Sequence, residues 1–355
     1  MLKRNKLALA TLLAVTAGSV QAAYTFNISE TDNITFGGFI KIDTRYVDGD
    51  VAYQDFWTGG GTPLAEDASK VKMFANESRF NMKFVHGEVT GFLEMDFYGG
   101  GGNEVISNSS HPRLRHATIK YQNMTFGQTW TTFMITSSLA ETADIAGPLV
   151  GTSFVRNTMI RYTNGGLQLA IENPETWGND NDAMTPDADP NNDDLPDFIA
   201  KYSFNGDWGN ISVAGLARQL HTTDDDTETG VGVSVAGKIK TFGKDDFRFS
   251  VSTGNLGRYV GVTAATDVWG GEVEESTSYQ LAYRHFWTED IRSSVFIGNT
   301  TTEESDRDRS HYGANIFKNY TKDFSVGFEV GSYDMDDDGV DASSMYAQLS
   351  AKFVL

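Results

Sequence analysis

From residue 34 onward, apolar and polar side chains alternate with a period of two over stretches of about ten residues. Val89, Gly91, Leu93, Met95 and Phe97 share one parity, and Thr90, Glu94 and Asp96 the other. Phe324, Val326, Phe328 and Val330 likewise oppose Ser325, Gly327, Glu329 and Gly331, while Val231, Val233, Val235 and Ile239 oppose Ser234, Lys238 and Lys240. A period of two puts successive side chains on opposite faces of a strand. Sixteen such segments can be delimited, at 34–46, 77–86, 89–98, 112–122, 125–134, 156–163, 167–173, 197–205, 209–219, 230–241, 247–257, 276–287, 291–302, 311–321, 324–333 and 343–355.

Two kinds of connection alternate between them. The short kind includes His86-Gly87-Glu88, Asn164-Gly165-Gly166, Asn205-Gly206-Asp207 and Gly243-Lys244-Asp245, whose composition suits tight hairpins. The long kind includes 47–76, 99–111, 135–155, 174–196, 258–275 and 334–342. A water-soluble sandwich also alternates, but sixteen strands in one unit with this turn asymmetry would be unusual for it. A closed barrel is the β architecture that satisfies every backbone group inside a bilayer. The pattern therefore predicts an all-β fold, a 16-stranded antiparallel transmembrane β-barrel with short periplasmic turns and long extracellular loops. Leu349, Ala351, Phe353 and Leu355, opposed by Gln348, Ser350 and Lys352, read as its terminal strand.

The first 22 residues depart from the pattern: Lys3, Arg4 and Lys6 precede the apolar run Leu7 to Ala17, and Val20-Gln21-Ala22 supplies small residues for cleavage. The expected organisation is a secretory signal peptide over 1–22, a short N-terminal segment over 23–33 and the barrel over 34–355. No later run approaches about 20 apolar residues, so membrane crossing falls to strands and localisation to the bacterial outer membrane. There is no cysteine, which removes disulfides, thiolate metal sites and Cys nucleophiles. The formal charge of −20 becomes about −23 once Lys3, Arg4 and Lys6 are removed, which argues against nucleic acid as a partner.

The acid is concentrated in the long connections, at Asp180, Asp182, Asp187, Asp189, Asp193 and Asp194, at Asp224, Asp225 and Asp226, and at Asp334, Asp336, Asp337 and Asp338. Asp334 to Gly339 copies the start of an EF-hand loop, but the twelfth position is Met345 and the flanks are strands. Solvated loops, open to divalent bridging with lipopolysaccharide phosphates, are the better reading, and no metal or cofactor is expected. His86, His111, His116, His221, His285 and His311 are scattered and no Gly-x-Ser-x-Gly elbow occurs, so no catalytic site is expected. Tyr279, Tyr283, Phe286 and Trp287 read as interfacial aromatics.

The same parity counts the lumen's charges. Lys41, Arg45, Arg79, Lys83, Lys120, Arg161, Lys201, Arg218, Lys238, Lys240, Arg248, Arg284, Arg292 and Lys352 face Asp43, Glu94, Asp96, Glu172 and Glu329, fourteen bases against five acids. Positive side chains in a narrow aqueous passage favour anions, although some would pair across the wall, for example Arg79 or Lys83 with Glu94 or Asp96. Arg113 and Arg115 fall on the lipid parity set by Ala117, Ile119 and Tyr121. They sit at the rim, or a β-bulge turns them inward, where two guanidiniums could hold a carboxylate. The third long loop, 135–155, is apolar and poor in charge, which suits a loop folded into the lumen rather than into water.

Ser78 to Phe84, Gly91 to Phe97, and above all Arg113-Leu114-Arg115-His116-Ala117 leading to Phe126-Gly127-Gln128-Thr129-Trp130-Thr131-Thr132-Phe133 resemble the DcaP-like outer-membrane porins. The resemblance is clearest over residues 34–135, and its Gly-Gln-Thr-Trp segment is shared with the wider trimeric porin superfamily. It implies a homotrimer of sixteen-stranded barrels taking up small anions, with dicarboxylates as characteristic substrates, and Arg79, Arg113 and Arg115 as constriction residues. The chain departs from members carrying an N-terminal coiled-coil extension, since about eleven residues separate Ala23 from the first predicted strand. The reading as a whole is an anion-preferring diffusion porin lined by Lys41, Arg45, Arg79, Lys83, Arg113, Arg115, Lys120, Arg161 and Arg284. Its alternatives are an unselective or cation-tolerant porin, or an adhesin or anchor barrel with a plugged lumen.

Overall fold

The computed structural model describes residues 23–101, 110–145, 147–179, 193–222 and 227–355. The signal segment, Asp180, Asp182, Asp187, Asp189 and Asp224, Asp225 and Asp226 lie outside the described residues. Sixteen strands run in chain order around a closed antiparallel barrel. They are β1 Asp32–Val51, β2 Pro63–Phe74 continued by Arg79–His86, β3 Val89–Asp96, β4 Arg113–Tyr121, β5 Met124–Trp130, β6 Arg156–Asn164, β7 Leu167–Glu172 and β8 Asp197–Gly206. The second half comprises β9 Gly209–His221, β10 Thr227–Lys240, β11 Asp246–Gly254, β12 Ser276–Phe286, β13 Ile291–Thr302, β14 Arg307–Asn319, β15 Phe324–Asp337 and β16 Val340–Val354. β16 closes the ring on β1, from Phe39 opposite Val354 to Gly49 opposite Ser344.

Each of the sixteen alternating segments is one of these strands, and outside β4 parity is as expected. Val233, Val251, Phe328 and Leu349 point outward and are exposed, whereas Ser234, Ser252, Glu329 and Gln348 point inward and are buried. Phe286 is the exception among the aromatics assigned to the interface, because it shares the inward parity of Arg284, whose guanidinium lies over its ring at 5.0 Å.

Three connections differ from the sequence reading. The span 47–76 is mostly strand: β1 runs on to Val51 and the chain returns as Pro63–Phe74, paired to β1 from Asp43 to Val51. Glu66, Asp67, Ser69 and Lys70 are exposed there irrespective of parity, so no alternation marks the strand. The span 334–342 is a tight hairpin, with Asp338 and Gly339 at φ 49° and 81°, the positive-φ pair a two-residue primed turn requires. Asp334, Asp336 and Asp337 therefore lie at the end of β15 and Asp338 in its turn, with no room for a twelve-residue ion loop. Within 23–33, Tyr24–Asn27 forms a short strand on β1, continuing the edge that Val354 leaves. Four residues are too few for a period to show.

Three loops turn inward and interlock. The indole of Trp57, in the loop after β1, stacks on Tyr333 at 4.6 Å, and its backbone N–H donates to Asp144 of the loop after β5 at 3.2 Å. Gly59 N–H donates to Val262 O at 2.9 Å in the loop after β11, and Gly261 N–H donates to Thr152 O at 3.1 Å. Leu256, Tyr259, Val260 and Phe133 are buried in one apolar cluster where the last two loops meet. The loop after β11 includes the span 258–275, a long connection in the sequence. It contains a 3-10 turn, Gly257–Tyr259, and two short strands, Val268–Trp269 and Glu272–Val273, the first paired with Gly178–Asn179.

Candidate functional site

A β-bulge decides where the arginines of β4 point. Glu94 pairs with His116 and the next residue, Met95, pairs with Leu114, which leaves Arg115 as the extra residue on β4. One inserted residue reverses the parity beyond it. Arg115 and His116 therefore both face inward and Arg113 joins them, while Leu114 faces out.

The neighbouring strand holds this irregularity in place. Gly127 sits at φ 110°, where a Cβ would lie 2.1 Å from Ala117 O, so only glycine permits the close approach. The Gln128 side-chain amide donates to Leu114 O at 3.1 Å and Arg115 O at 3.3 Å, occupying carbonyls that the bulge takes out of the ladder. Thr129 Oγ1 bonds His116 Nδ1 at 3.0 Å, and the Trp130 ring lies 5.6 Å from the Arg115 guanidinium and 4.9 Å from that of Arg156. Each residue of the Gly-Gln-Thr-Trp segment thus contacts the bulged stretch of β4, at Arg115, His116 or Ala117.

Asp96, fully buried, accepts from Arg113 Nε at 3.0 Å, Arg113 Nη2 at 2.7 Å and Arg115 Nη1 at 2.8 Å, while Arg115 Nε donates to Glu94 at 2.9 Å. The wall pairing anticipated for Arg79 or Lys83 is made by Arg113 and Arg115 instead. The carboxylate nearest Arg79 is Glu77, at 3.8 Å, and Arg156 lies within Coulomb range of Arg79, Arg113 and Arg115. Four guanidiniums consequently share Glu94, Asp96 and the more distant Glu77. Arg113 keeps 33% of its side-chain surface exposed and Arg79 18%.

The wall from β12 round to β1 binds the loop after β5. Lys41 donates to Ala143 O at 2.7 Å and contacts Glu77; Gln348 donates to Ala143 O at 2.8 Å; and Glu329 accepts from Ala143 N at 2.6 Å. Arg45 is fully buried between the rings of Trp57 and Tyr346, at 5.0 and 4.4 Å, with Asp144 at 3.5 Å. Glu141 is clamped by Arg284 at 3.0 Å and by Arg292 at 2.6 Å. Burial pushes the Glu141 carboxyl up, but hydrogen bonds and charge from Arg292 and then Arg284 prevail and hold it at about 2. Lys41, Arg45 and Arg284 thus hold the loop, whereas Arg79, Arg113 and Arg115 are engaged with carboxylates of β2 and β3.

Below the arginines, towards the short turns, the wall from β2 to β10 carries Lys83, Lys120, Arg161, Lys201, Lys238 and Lys240. Among the described residues none of these six has a carboxylate at ion-pair distance. Several lumen acids escaped the parity count: Glu77 lies in the break within β2, Asp197 and Asp246 open their strands, and Glu141, Asp144 and Asp267 are brought in by loops. Asp246 takes Arg248 at 2.6 Å and Arg284 at 2.5 Å, and Asp197 takes Arg258 at 3.0 Å and Arg218 at 3.5 Å. These acids offset part of the positive charge counted by parity, while Arg113, Arg115, Arg156 and Arg258 add to it, and the six cations without a paired carboxylate lie on one side. No group of three or more His, Asp or Glu that could hold a metal occurs among the described residues.

The sequence profile of the family described as DcaP outer membrane protein matches residues 20–317. Among curated proteins no match is found. Among solved structures the fold is similar to the outer membrane channel DcaP of Acinetobacter baumannii, with TM-score 0.79 and 22% identity over 93% of this chain and 99% of that one. It is also similar to the anion-selective porin from Comamonas acidovorans, with TM-score 0.59 and 11% identity over 91% and 100% of the two chains. The outer-membrane-expressed OmpT of Vibrio cholerae gives TM-score 0.58 and 11% identity over 94% and 100%. At these identities the structural likeness is one of fold.

Proposed function

The chain belongs to the DcaP outer membrane protein family, and from that premise we propose that this outer-membrane porin is an anion-preferring diffusion channel for small carboxylates, dicarboxylates among them. The observation that carries the proposal is the cluster Arg79, Arg113, Arg115 and Arg156 on the inner wall, which holds fewer carboxylates than guanidiniums. Guanidinium forks match carboxylates two bonds at a time. Arg113 and Arg79, still partly exposed, can exchange part of their hydration for a solute carboxylate. Arg115 is held by Glu94 and Asp96 and acts chiefly through its charge.

Lys83, Lys120 and Arg161 continue the positive wall beyond this point, and Lys41, Arg45 and Arg284 set the lumen's width by fixing the loop. Passage then needs no cofactor: several weak sites in series let an anion leave as readily as it enters. A homotrimer in lipopolysaccharide-bearing membrane belongs to the same proposal, on the strength of the resemblance to trimeric porins.

The decisive measurement is the reversal potential of the purified mature protein in a planar bilayer under a potassium chloride gradient. An anion-directed potential with triplet conductance steps is expected. A cation-directed potential would overturn the anion preference. Absence of any conductance would favour a barrel stoppered by its interlocked loops, a reading that the contacts of Trp57 with Asp144 and Gly59 with Val262 support.

A further inference from the structure

The cations below the arginine cluster form a pattern of their own. Lys83, Lys120, Arg161 and Lys201 occupy β2, β4, β6 and β8, one on every second strand, and each lies within five residues of a short turn. The register fixes their spacing. Lys120 and Arg161 both lie opposite Thr125 or its pair, two strands apart and so about 10 Å between backbones. Lys83 is offset by one same-face position from Val85, which shares Thr90 with Lys120, and Lys201 is offset likewise from Ile199, which shares Ala170 with Arg161. Consecutive members are within Coulomb range: Lys120 of both Lys83 and Arg161, and Lys201 of Arg161.

The arc differs in chemistry from the cluster above it. β2, β4 and β6 each carry an arginine at the upper level and a second cation four to seven residues further along, roughly 13 Å or more down the strand. Two of the upper guanidiniums, Arg113 and Arg115, are paired with Glu94 and Asp96. The lower cations have one carboxylate in Coulomb range, Glu172, which accepts Thr132 N–H at 2.7 Å; Lys201 donates to Met134 O at 3.2 Å and Arg161 to Trp130 O at 3.4 Å, neutral acceptors that leave the charge uncompensated. Three of the four are lysines, compact point charges without the planar fork that selects carboxylates. Like charges held this close in a wall repel unless a mobile counter-anion sits among them. The counter-anion that matches several such charges at once is one of higher valence than a dicarboxylate.

We infer that Lys83, Lys120, Arg161 and Lys201 form a second anion station on the periplasmic side of the loop, suited to multiply charged phosphoryl anions. It rests on the barrel being an open channel and adds a substrate class to the carboxylates assigned to the arginine cluster. The upper cluster selects by fork geometry and the lower arc by accumulated charge.

The test is block of chloride current by tripolyphosphate, with orthophosphate as the low-valence probe, added to either side of a bilayer holding the purified mature protein. Tripolyphosphate should block at a concentration about tenfold or more below orthophosphate, and more readily from the side of the short turns. In K83Q/K120Q/K201Q the half-blocking concentration should rise at least about tenfold, whereas K83R/K120R/K201R should retain the block. K120Q alone should give a smaller rise, and it serves if the triple variant fails to fold. Equal block in the lysine-to-glutamine variants would overturn the station, as would loss of block in R113Q alone. An anion-directed reversal potential without polyphosphate block would refute this inference and leave the carboxylate channel standing, whereas a cation-directed potential would remove both.

Discussion

Asp96 is the residue whose replacement most sharply separates charge from architecture at the arginine cluster. It is fully buried and accepts three charge-assisted bonds, two from Arg113 and one from Arg115, at 2.7 to 3.0 Å. Asp96→Asn keeps the shape and removes one negative charge. Breaking a buried pair on one side costs about 3–5 kcal/mol. Arg113 keeps a third of its side chain exposed, so solvent recovers part of that and about 2–3 kcal/mol is expected. In the passage the uncovered charge acts on an anion through water, and at roughly 7 Å the interaction is about 0.6 kcal/mol. That is roughly a threefold enrichment of a monovalent anion and an equal depletion of a cation, so the anion-to-cation permeability ratio should rise several-fold at low ionic strength. The rise should shrink as salt shortens the Debye length. Reversal potentials at two salt levels read the ratio, and heat-modifiable electrophoretic mobility reads folding. A folded D96N barrel with an unchanged or lowered ratio would refute the claim that this cluster faces the permeating ion.

Other outcomes follow from the supports around the site. Gln128→Ala should cost about 1–2 kcal/mol, since two backbone carbonyls of the bulge lose their donor, and it should lower barrel stability more than Thr25→Ala, an exposed control. Gly127→Ala places a methyl 2.1 Å from Ala117 O at φ 110° and should cost about 2 kcal/mol or more by strain, read as a lowered melting temperature. The Glu141 clamp is a depressed carboxylate, so its contribution is complete above the ordinary value of 4.5 and is lost as pH falls from there towards about 2. Current noise from loop motion should therefore be flat from pH 7 to about 5 and rise below about 4, whereas Glu141→Gln should be noisy at every pH. Quiet E141Q channels would mean the clamp is dispensable. Arg45→Gln should release Trp57 and Asp144 together at about 3–5 kcal/mol, detectable as new protease sensitivity in the loop after β1.

The bulge shows how near the sequence came to disclosing the site. Outward positions on β4 fall at Leu114, Ala117, Ile119 and Tyr121, a step of three among steps of two. That phase slip is the mark of an inserted residue, and strict parity extended from Ala117 obscures it by placing Arg113 and Arg115 in lipid. Gln128 carried no readable signal, because its task is to bond carbonyls fourteen and thirteen positions away. The strand Pro63–Phe74 was illegible for a different reason: much of it is wetted on both faces, and a period appears only where lipid and water lie on opposite sides of a chain.

What the sequence determined by itself is therefore the barrel. Strand number, hairpin positions, the inward fold of the loop after β5 and the parity of nearly every lumen residue follow from local chemistry, since each strand must show one apolar face to lipid. The division of labour among the cations was decided only by closure of the ring. Glu141 meets Arg284 and Arg292 across separations of 143 and 151 residues, and Gln348 reaches Asp43 across 305. Coulomb attraction depends on distance in space, which the order of residues does not carry until β16 is sealed against β1. The cations on β12, β13 and β1 are thereby spent on holding the loop, Arg115 and Arg218 are spent on buried carboxylates, and Lys83, Lys120, Lys238 and Lys240 keep no carboxylate at ion-pair distance among the described residues.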